Sequence, residues 1–568
     1  MRYLALATDF DGTIAEQGSV DDHTLRALER LLATGRKLVL VTGRELDDLL
    51  EVFPHIGLFD RVVAENGAVL YRPASREAQP LADPPLGLFL DALRERGVQP
   101  LSRGRVIVNT WEPNEAAVLK TIRELGLELQ MIFNKGAVMV LPSGVNKATG
   151  LHTALGELSL SIHNTVGVGD AENDHAFLAA CECSVAVANA LPLVKQRCDL
   201  VTAGAGGKGV AELIARLVDN DLAELDDSLT RHHVLLGHRD DGREVWISPH
   251  GTTVLVAGTS GAGKSTLAAG LVERLAQAGY QLCIIDPEGD YDDFPGTLTL
   301  GDAHRPPTVA EILDVLGDPV ANVRANLVGL AWKDRPGFFE ALLTHVQELR
   351  ARTGRPHWLL VDEAHQFMPP ARDRALAVCA ELRGVALITA YPEHVVSSAL
   401  AGVDVALAVG ESPGQILGSF AQTLGLPCPP VPDAFSVPDH ALAWNRHNQD
   451  LPFTLRIVPP RANRRRHRRK YAKGDLGVEH SFYFRGPQKT LHLRAANLIA
   501  FVELADETND ETWEFHLRRG DYERWFRETV KDDELAAEVV EVANAGVAPA
   551  DSRARIRAAI EERYTVPA

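Results

Sequence analysis

Ala7-Thr8-Asp9-Phe10-Asp11-Gly12-Thr13 decides how the first third of the chain is read. The residues before it, 3–8, are an apolar, strand-like run. Two carboxylates one residue apart therefore stand at the C-terminal edge of a β-strand, the edge on which α/β folds place their ligands. Gly12 permits a tight turn, so Asp9 can attack a phosphorus in line while Asp11 protonates the leaving oxygen and later deprotonates water. Working outward, residues 24–33 have helical period and residues 37–41 form a second apolar strand ending in Val41-Thr42-Gly43-Arg44. Its hydroxyl and backbone amides suit phosphate oxygens. Lys147, in Gly144-Val145-Asn146-Lys147, can offset the charge of nucleophile and phosphate together. Gly169-Asp170-Ala171-Glu172-Asn173-Asp174 supplies carboxylates for Mg²⁺, a hard ion that prefers oxygen.

These motifs, in this order, resemble the haloacid dehalogenase superfamily, and within it the Cof-like phosphatases with a type-II cap that act on sugar phosphates. The resemblance covers about residues 1–218 and includes Glu65-Asn66-Gly67-Ala68 and Val187-Ala188-Asn189-Ala190 as further landmarks. It implies Asp9 as nucleophile, Asp11 as acid and base, and Lys147 as the charge-balancing lysine. Thr42 is the implied phosphate ligand, with Gly12, Gly43, Arg44 and Asn173 around the phosphate. Asp9, Asp11 through its carbonyl, and Asp170 would hold Mg²⁺, with Asp174 beside them. The expected domain is 1–220, with a small α+β cap at about 82–140 that closes over the site and selects a small phosphorylated metabolite of the sugar-phosphate or phosphoglycolate type.

A second α/β unit is expected over 232–458, where short apolar runs at 252–257, 283–286, 358–361 and 385–389 suit central buried strands. Between the first of these and a helix-like stretch lies Gly258-Thr-Ser-Gly261-Ala-Gly263-Lys264-Ser265-Thr266, which fits the phosphate-binding loop pattern in its required context. Its amides can wrap the phosphates of ATP, Lys264 can reach the β and γ phosphates, and Ser265 can bind Mg²⁺. Asp362 and Glu363 end a later apolar strand, one carboxylate for the metal's water shell and one to orient attacking water. Together with 284–291 and 387–390, these residues resemble the HerA and FtsK branch of P-loop ATPases. Ala390 stands where that branch carries a glutamine, and no arginine finger is identifiable.

The chain has 568 residues, room for more than one domain, and a formal charge of −19 that opposes nucleic acid and anionic membranes unless basic residues cluster locally. They do so at 461–470, Arg-Ala-Asn-Arg-Arg-Arg-His-Arg-Arg-Lys, inside an expected basic linker at 459–473. Such a run can neutralise phosphates or serve as a solvated linker. The six cysteines form no CxxC pair and read as reduced core thiols. No leader is evident and no window approaches the ~20 apolar residues of a membrane span, so a cytoplasmic protein without membrane contact is expected. Residues 474–568 read as a small, mainly helical module without assigned chemistry. The expected whole is an α/β protein: a Rossmann-like phosphatase domain with its cap, a P-loop ATPase domain able to form oligomers, and the terminal module. The alternative is an ATP-driven nucleic-acid translocase or processing protein with an accessory phosphatase.

Overall fold

The computed structural model describes residues 1–259, 262–291, 294, 296–372, 382–430, 440–446, 451–461, 481–487, 491–530 and 532–564. Gly261 of the phosphate loop, Cys379 and residues 462–470 of the basic run lie outside the described residues.

Ala5–Thr8 is buried at every position because it lies inside an eight-stranded sheet. The order is Leu200–Val201, Cys183–Ala186, Thr165–Gly169, Ala5–Thr8, Lys37–Val41, Arg61–Ala64, Val69–Arg72 and Glu77–Pro80. Pairing is parallel as far as Arg61–Ala64 and antiparallel beyond it. Thr8 pairs with Val168 on one side and Leu40 on the other. That register brings Asp9, Asp170 and Thr42, each just past its strand, to one edge. Helices Gly87–Glu95 and Glu115–Leu125 pack on a separate antiparallel sheet of four strands, Ser102–Arg103, Val108–Trp111, Ala137–Pro142 and Leu129–Asn134. This cap has its own core of Phe89, Leu93, Val108, Val118 and Val140.

The second sheet has eleven strands, of which the seven from Val405–Val409 to Thr297–Leu300 run parallel. Successive residues of a strand point to opposite faces, and here both faces are covered. Leu255, Ala257, Cys283 and Ile285 join one core with Phe339 and Val346 of helix Arg335–Thr353. Val254, Val256, Leu282 and Ile284 join the other with Leu267 and Leu271 of helix Lys264–Gln277. Continuous apolar runs are therefore required, as read from the sequence.

The remaining module is mainly helical, from Leu498–Glu507 to Pro549–Tyr564, around Phe482, Phe484, Phe501, Trp513, Tyr522 and Trp525. Its arginines pack over rings, Arg519 on Phe515 at 4.9 Å and Arg553 on Trp513 at 5.4 Å. Among the described residues no helix is long and apolar enough to cross a membrane.

The two sheets meet at their N-terminal edges. His163, just before Thr165–Gly169, stacks on Tyr280, just before Leu282–Asp286, with ring centroids 3.7 Å apart. Its Nδ1 faces Glu182 Oε2 at 2.8 Å and its Nε2 faces the Ala278 carbonyl at 2.8 Å. The Tyr280 hydroxyl donates to Glu182 at 3.0 Å, and Arg355 Nη2 donates to the Ser159 carbonyl at 2.8 Å. Both ligand-bearing edges consequently face away from the contact. With ~3.3 Å per strand residue, the two edges lie on the order of 30 Å or more apart. His163→Ala removes a cross-domain hydrogen bond and the ring stack, and should weaken the contact by about 2–4 kcal/mol. In calorimetry the two α/β domains should then melt in separate transitions; a melt identical to that of the unmodified chain would show that the clasp contributes nothing.

Candidate active sites

Lys147 opens helix Lys147–Glu157, whose N-cap Asn146 accepts from the amides of Ala148 and Thr149. The helix lies so close to the Glu65–Gly67 turn that a Cβ on Gly67 would sit 1.9 Å from the Asn146 carbonyl. Only glycine fits. This packing drives the Lys147 ammonium, fully buried, between Asp9 Oδ1 at 2.5 Å and Asp174 Oδ1 at 2.6 Å. Burial pulls the ammonium's pKa down, but Asp174 and Asp9 more than offset it and the net shift is upward. Asp9 is pushed up by burial first and Asp174 second, with Lys147 acting against them. Asp174 also accepts, through Oδ2, from the amides of Asp170 and Ala171 at 2.8 and 2.9 Å.

Carboxylate oxygens of Asp9, Asp170 and Asp174 all lie within 4.8 Å of one another. Three buried carboxylates with oxygen donors only are a donor set that fits a hard divalent cation. Gly12, at φ +83°, leaves no room for a side chain, since a Cβ there would fall 2.4 Å from Asp170 Oδ2. Its carbonyl accepts from Asn189 Nδ2 at 2.7 Å, which accounts for one landmark residue. Thr42 is buried at the adjoining strand end, and Gly43 is flanked by Met139 of the cap and Asn173. Asn173 Nδ2 donates to Asn66 Oδ1 at 3.1 Å, while the buried Asn66 Nδ2 and Asn173 Oδ1 have no protein partner. Buried polar atoms are rarely left so, and a bound ligand would satisfy them. Arg44, expected at the phosphate, pairs with Asp11: Nε donates to Oδ2 at 2.6 Å and Nη2 to Oδ1 at 2.7 Å. Its Nη1 donates to Asp48 at 2.6 Å, so two carboxylates outside the buried cluster claim the planar fork.

Two residues escaped the sequence reading. Glu65, fully buried, accepts from the amides of Arg105, Val106 and Ile107 at 2.8, 2.7 and 2.9 Å and so fastens the cap to the core. Its landmark motif was visible, but its partners lie some forty residues away. Lys135, at the tip of a cap hairpin, donates to Asp170 Oδ2 at 2.7 Å. An Asn-Lys-Gly turn between two strand-like runs was its only signal.

In the second domain Gly258 ends the strand Thr253–Gly258, and Gly263, at φ +94°, caps helix Lys264–Gln277. Lys264 is buried and donates to the Thr259 carbonyl at 3.1 Å, inside its own loop. Ser265 is half-buried and Thr266 exposed. Asp362, buried at the end of Trp358–Val361, is held well above the usual carboxylate range by burial, then by Glu363, Asp290 and Asp286. Glu363 adopts φ +46°, a left-handed backbone that few side chains take up, with Oε2 3.4 Å from His365 Nδ1. The strand Val385–Thr389 separates the Asp362 strand from the loop strand, and its Thr389 hydroxyl lies 3.1 Å from His365 Nδ1. The Asp286 motif is structural here: its carboxylate pairs with buried Arg324 at 2.7 Å and accepts from four following amides.

Comparison with known proteins agrees with this division. The haloacid dehalogenase-like hydrolase family matches residues 6–96 and 114–214, and the central domain of helicase HerA matches residues 246–323. The phosphoglycolate phosphatase of Halorubrum lacusprofundi is 30% identical over 222 residues, which is 37% of this chain and 96% of that protein. That of Methanothermobacter thermautotrophicus is 29% identical over 223 residues, 38% of this chain and 98% of that one. A solved haloacid dehalogenase-like hydrolase from Bacteroides thetaiotaomicron is 18% identical, covers 38% of this chain and 99% of its own, and gives a TM-score of 0.34. Through its first domain and cap the chain belongs to the haloacid dehalogenase-like hydrolases and is a phosphatase, and it carries a HerA-like P-loop domain behind them.

Proposed function

We propose that residues 1–220 hydrolyse a small phosphomonoester of the phosphoglycolate or sugar-phosphate type through an aspartyl phosphate on Asp9. What carries the reading is the buried Lys147 between Asp9 and Asp174 beside Asp170. A carboxylate, a compensating ammonium and a cation-binding acid meet there, where a phosphate with its negative charge has to be approached by an anion. Mg²⁺, held by Asp9, the Asp11 carbonyl and Asp170, would supply charge neutralisation at the transferring phosphoryl group. Asp9 attacks phosphorus, forming the carboxyl–phosphate bond as the ester bond breaks, and Asp11 gives its proton to the departing alkoxide. Water then attacks the same phosphorus, Asp11 takes the water proton, and Asp9 is released with inorganic phosphate. Thr42, the Gly43 amide and Asn173 would hold the phosphate oxygens, with Gly12 and Arg44 beside them; Arg44 would have to exchange its grip on Asp11 for the phosphate before Asp11 can act as an acid. Asp174 positions Lys147 and the Asp170 backbone.

Residues 232–458 we assign to ATP binding and hydrolysis. Gly258, Gly261, Gly263 and Lys264 would bind the phosphates, with Ser265 and Thr266 at the helix start. Ser265 and Asp362 would serve the metal, and Glu363 would orient water. A second reading, action on nucleic acid, is favoured by the HerA-like match together with the basic run at 461–470.

Asp9→Asn should abolish phosphomonoester hydrolysis, by more than about a thousandfold, while ATP binding persists; normal turnover by that variant would refute the assignment. Lys264→Ala should lose ATP binding, measured by calorimetry, and leave phosphatase rates within twofold. Proton release on Mg²⁺ binding tests the metal site. Burial and Asp174 push the Asp9 carboxyl up, to about 8, so a cation binding there competes with a proton. Mg²⁺ affinity should accordingly rise with pH up to that value and flatten above it, with up to one proton released per ion in titrations run in two buffers. For the second reading, duplex DNA should raise the ATPase rate several-fold in a salt-sensitive manner; a rate that DNA leaves unchanged removes it.

A further inference from the structure

The cap strands Leu129–Asn134 and Ala137–Pro142 are joined by a two-residue turn, Lys135 at φ +48° and Gly136 at φ +88°. Both central residues of such a hairpin need positive φ, a conformation suited to asparagine or glycine and costing a lysine about 1 kcal/mol. A strained residue at a site of this kind is a pointer to use. The lysine delivers its ammonium into the core domain, 2.7 Å from Asp170 Oδ2 and 2.9 Å from the Cβ position of Gly12. Its side chain remains 48% exposed, so a ligand can reach it. The tip is not free to wander, because Glu65 ties the cap to the core and Met139 packs over Gly43.

The groups assigned above to the phosphate come from the core: Lys147, Thr42, the Gly43 amide and Asn173. Lys135 comes from the cap, the side on which the alcohol portion of a phosphate ester must lie. In this structure it pairs with Asp170 Oδ2, and a divalent cation on that carboxylate would compete with the ammonium for it. The ammonium would then be available to the departing half of the substrate.

We propose that Lys135 recognises a second anionic group on the substrate, so that the enzyme selects short phosphorylated carboxylic acids over phosphate esters of neutral alcohols. This rests on the phosphatase reading of residues 1–220. Lys135 takes no part in the bond-making steps; it fixes which leaving group is accepted.

The test compares the full-length protein with Lys135→Gln and Lys135→Arg on 2-phosphoglycolate and on glycerol 2-phosphate with saturating Mg²⁺. Loss of a charge-assisted hydrogen bond should raise the KM for 2-phosphoglycolate about 10–100-fold in the glutamine variant, with kcat little changed. The arginine variant should recover most of that loss, and kcat/KM for glycerol 2-phosphate should stay within threefold in both. Calorimetry supplies a readout independent of turnover: Mg²⁺ should bind more tightly to Lys135→Gln, because the competing ammonium is gone. Equal losses on the two esters would overturn the inference, since the lysine would then serve the phosphate itself, and so would an unchanged KM for 2-phosphoglycolate. A wild-type protein inactive on both esters would overturn the phosphatase reading along with it; wild-type activity on both with no effect of Lys135→Gln would overturn this inference alone.

Discussion

A lysine ammonium sealed between two buried carboxylates governs the first domain. Taking Lys147 away leaves two buried carboxylates without their cation, a loss of about 3–5 kcal/mol. The trio can exist only if helix Lys147–Glu157 approaches the Glu65–Gly67 turn without a side chain between them, and if Asp9 and Asp174 arrive from neighbouring strand ends. The parallel register of Ala5–Thr8 with Thr165–Gly169 and Lys37–Val41 meets that condition and lines the edge with the groups a phosphate ester needs. The chemistry proposed for this edge draws on the same atoms that hold the fold together. That is why burial raises the pKa of Asp9 and why a divalent cation fits beside it.

The cap covers this floor from the other side. Glu65 accepts three amide hydrogens from one short cap segment, and the hairpin tip bearing Lys135 lies against Asp170. Met139 completes the cover over Gly43. Small substrates fit such an arrangement, since the tip comes within hydrogen-bond distance of a catalytic-edge carboxylate.

How the two α/β domains are joined constrains what their fusion can achieve. Their contact uses the N-terminal edges of both parallel sheets, through His163, Glu182, Tyr280 and Arg355, and each ligand edge opens on the far side. Thr165–Gly169 has the clasp at one end and Asp170 at the other, and Trp358–Val361 likewise runs from His357, whose Nε2 lies 3.3 Å from Asn164 Oδ1, to Asp362. At the second site, His365 takes up the Thr389 hydroxyl next to Ala390, so a histidine stands near the place where the resembled ATPases carry glutamine.

Much of this was legible in the residues alone, because the motifs are local. Asp9 and Asp11, Thr42 to Arg44, Asp170 to Asp174 and Gly258 to Thr266 are each written within a few residues at the end of an apolar run, and an α/β strand puts its end at the ligand edge whatever follows. Tertiary structure alone decided the partners. That Lys147 reaches Asp9, that Arg44 pairs with Asp11, that Glu65 pins the cap and that Lys135 reaches Asp170 all depend on contacts between residues 33 to 138 positions apart. The same holds for the histidine and tyrosine that bind the domains together. Local spacing carries no record of such contacts, because they are set by the order in which strands pair and by which helix packs where. An isolated lysine or glutamate has no pattern until the fold supplies its neighbour.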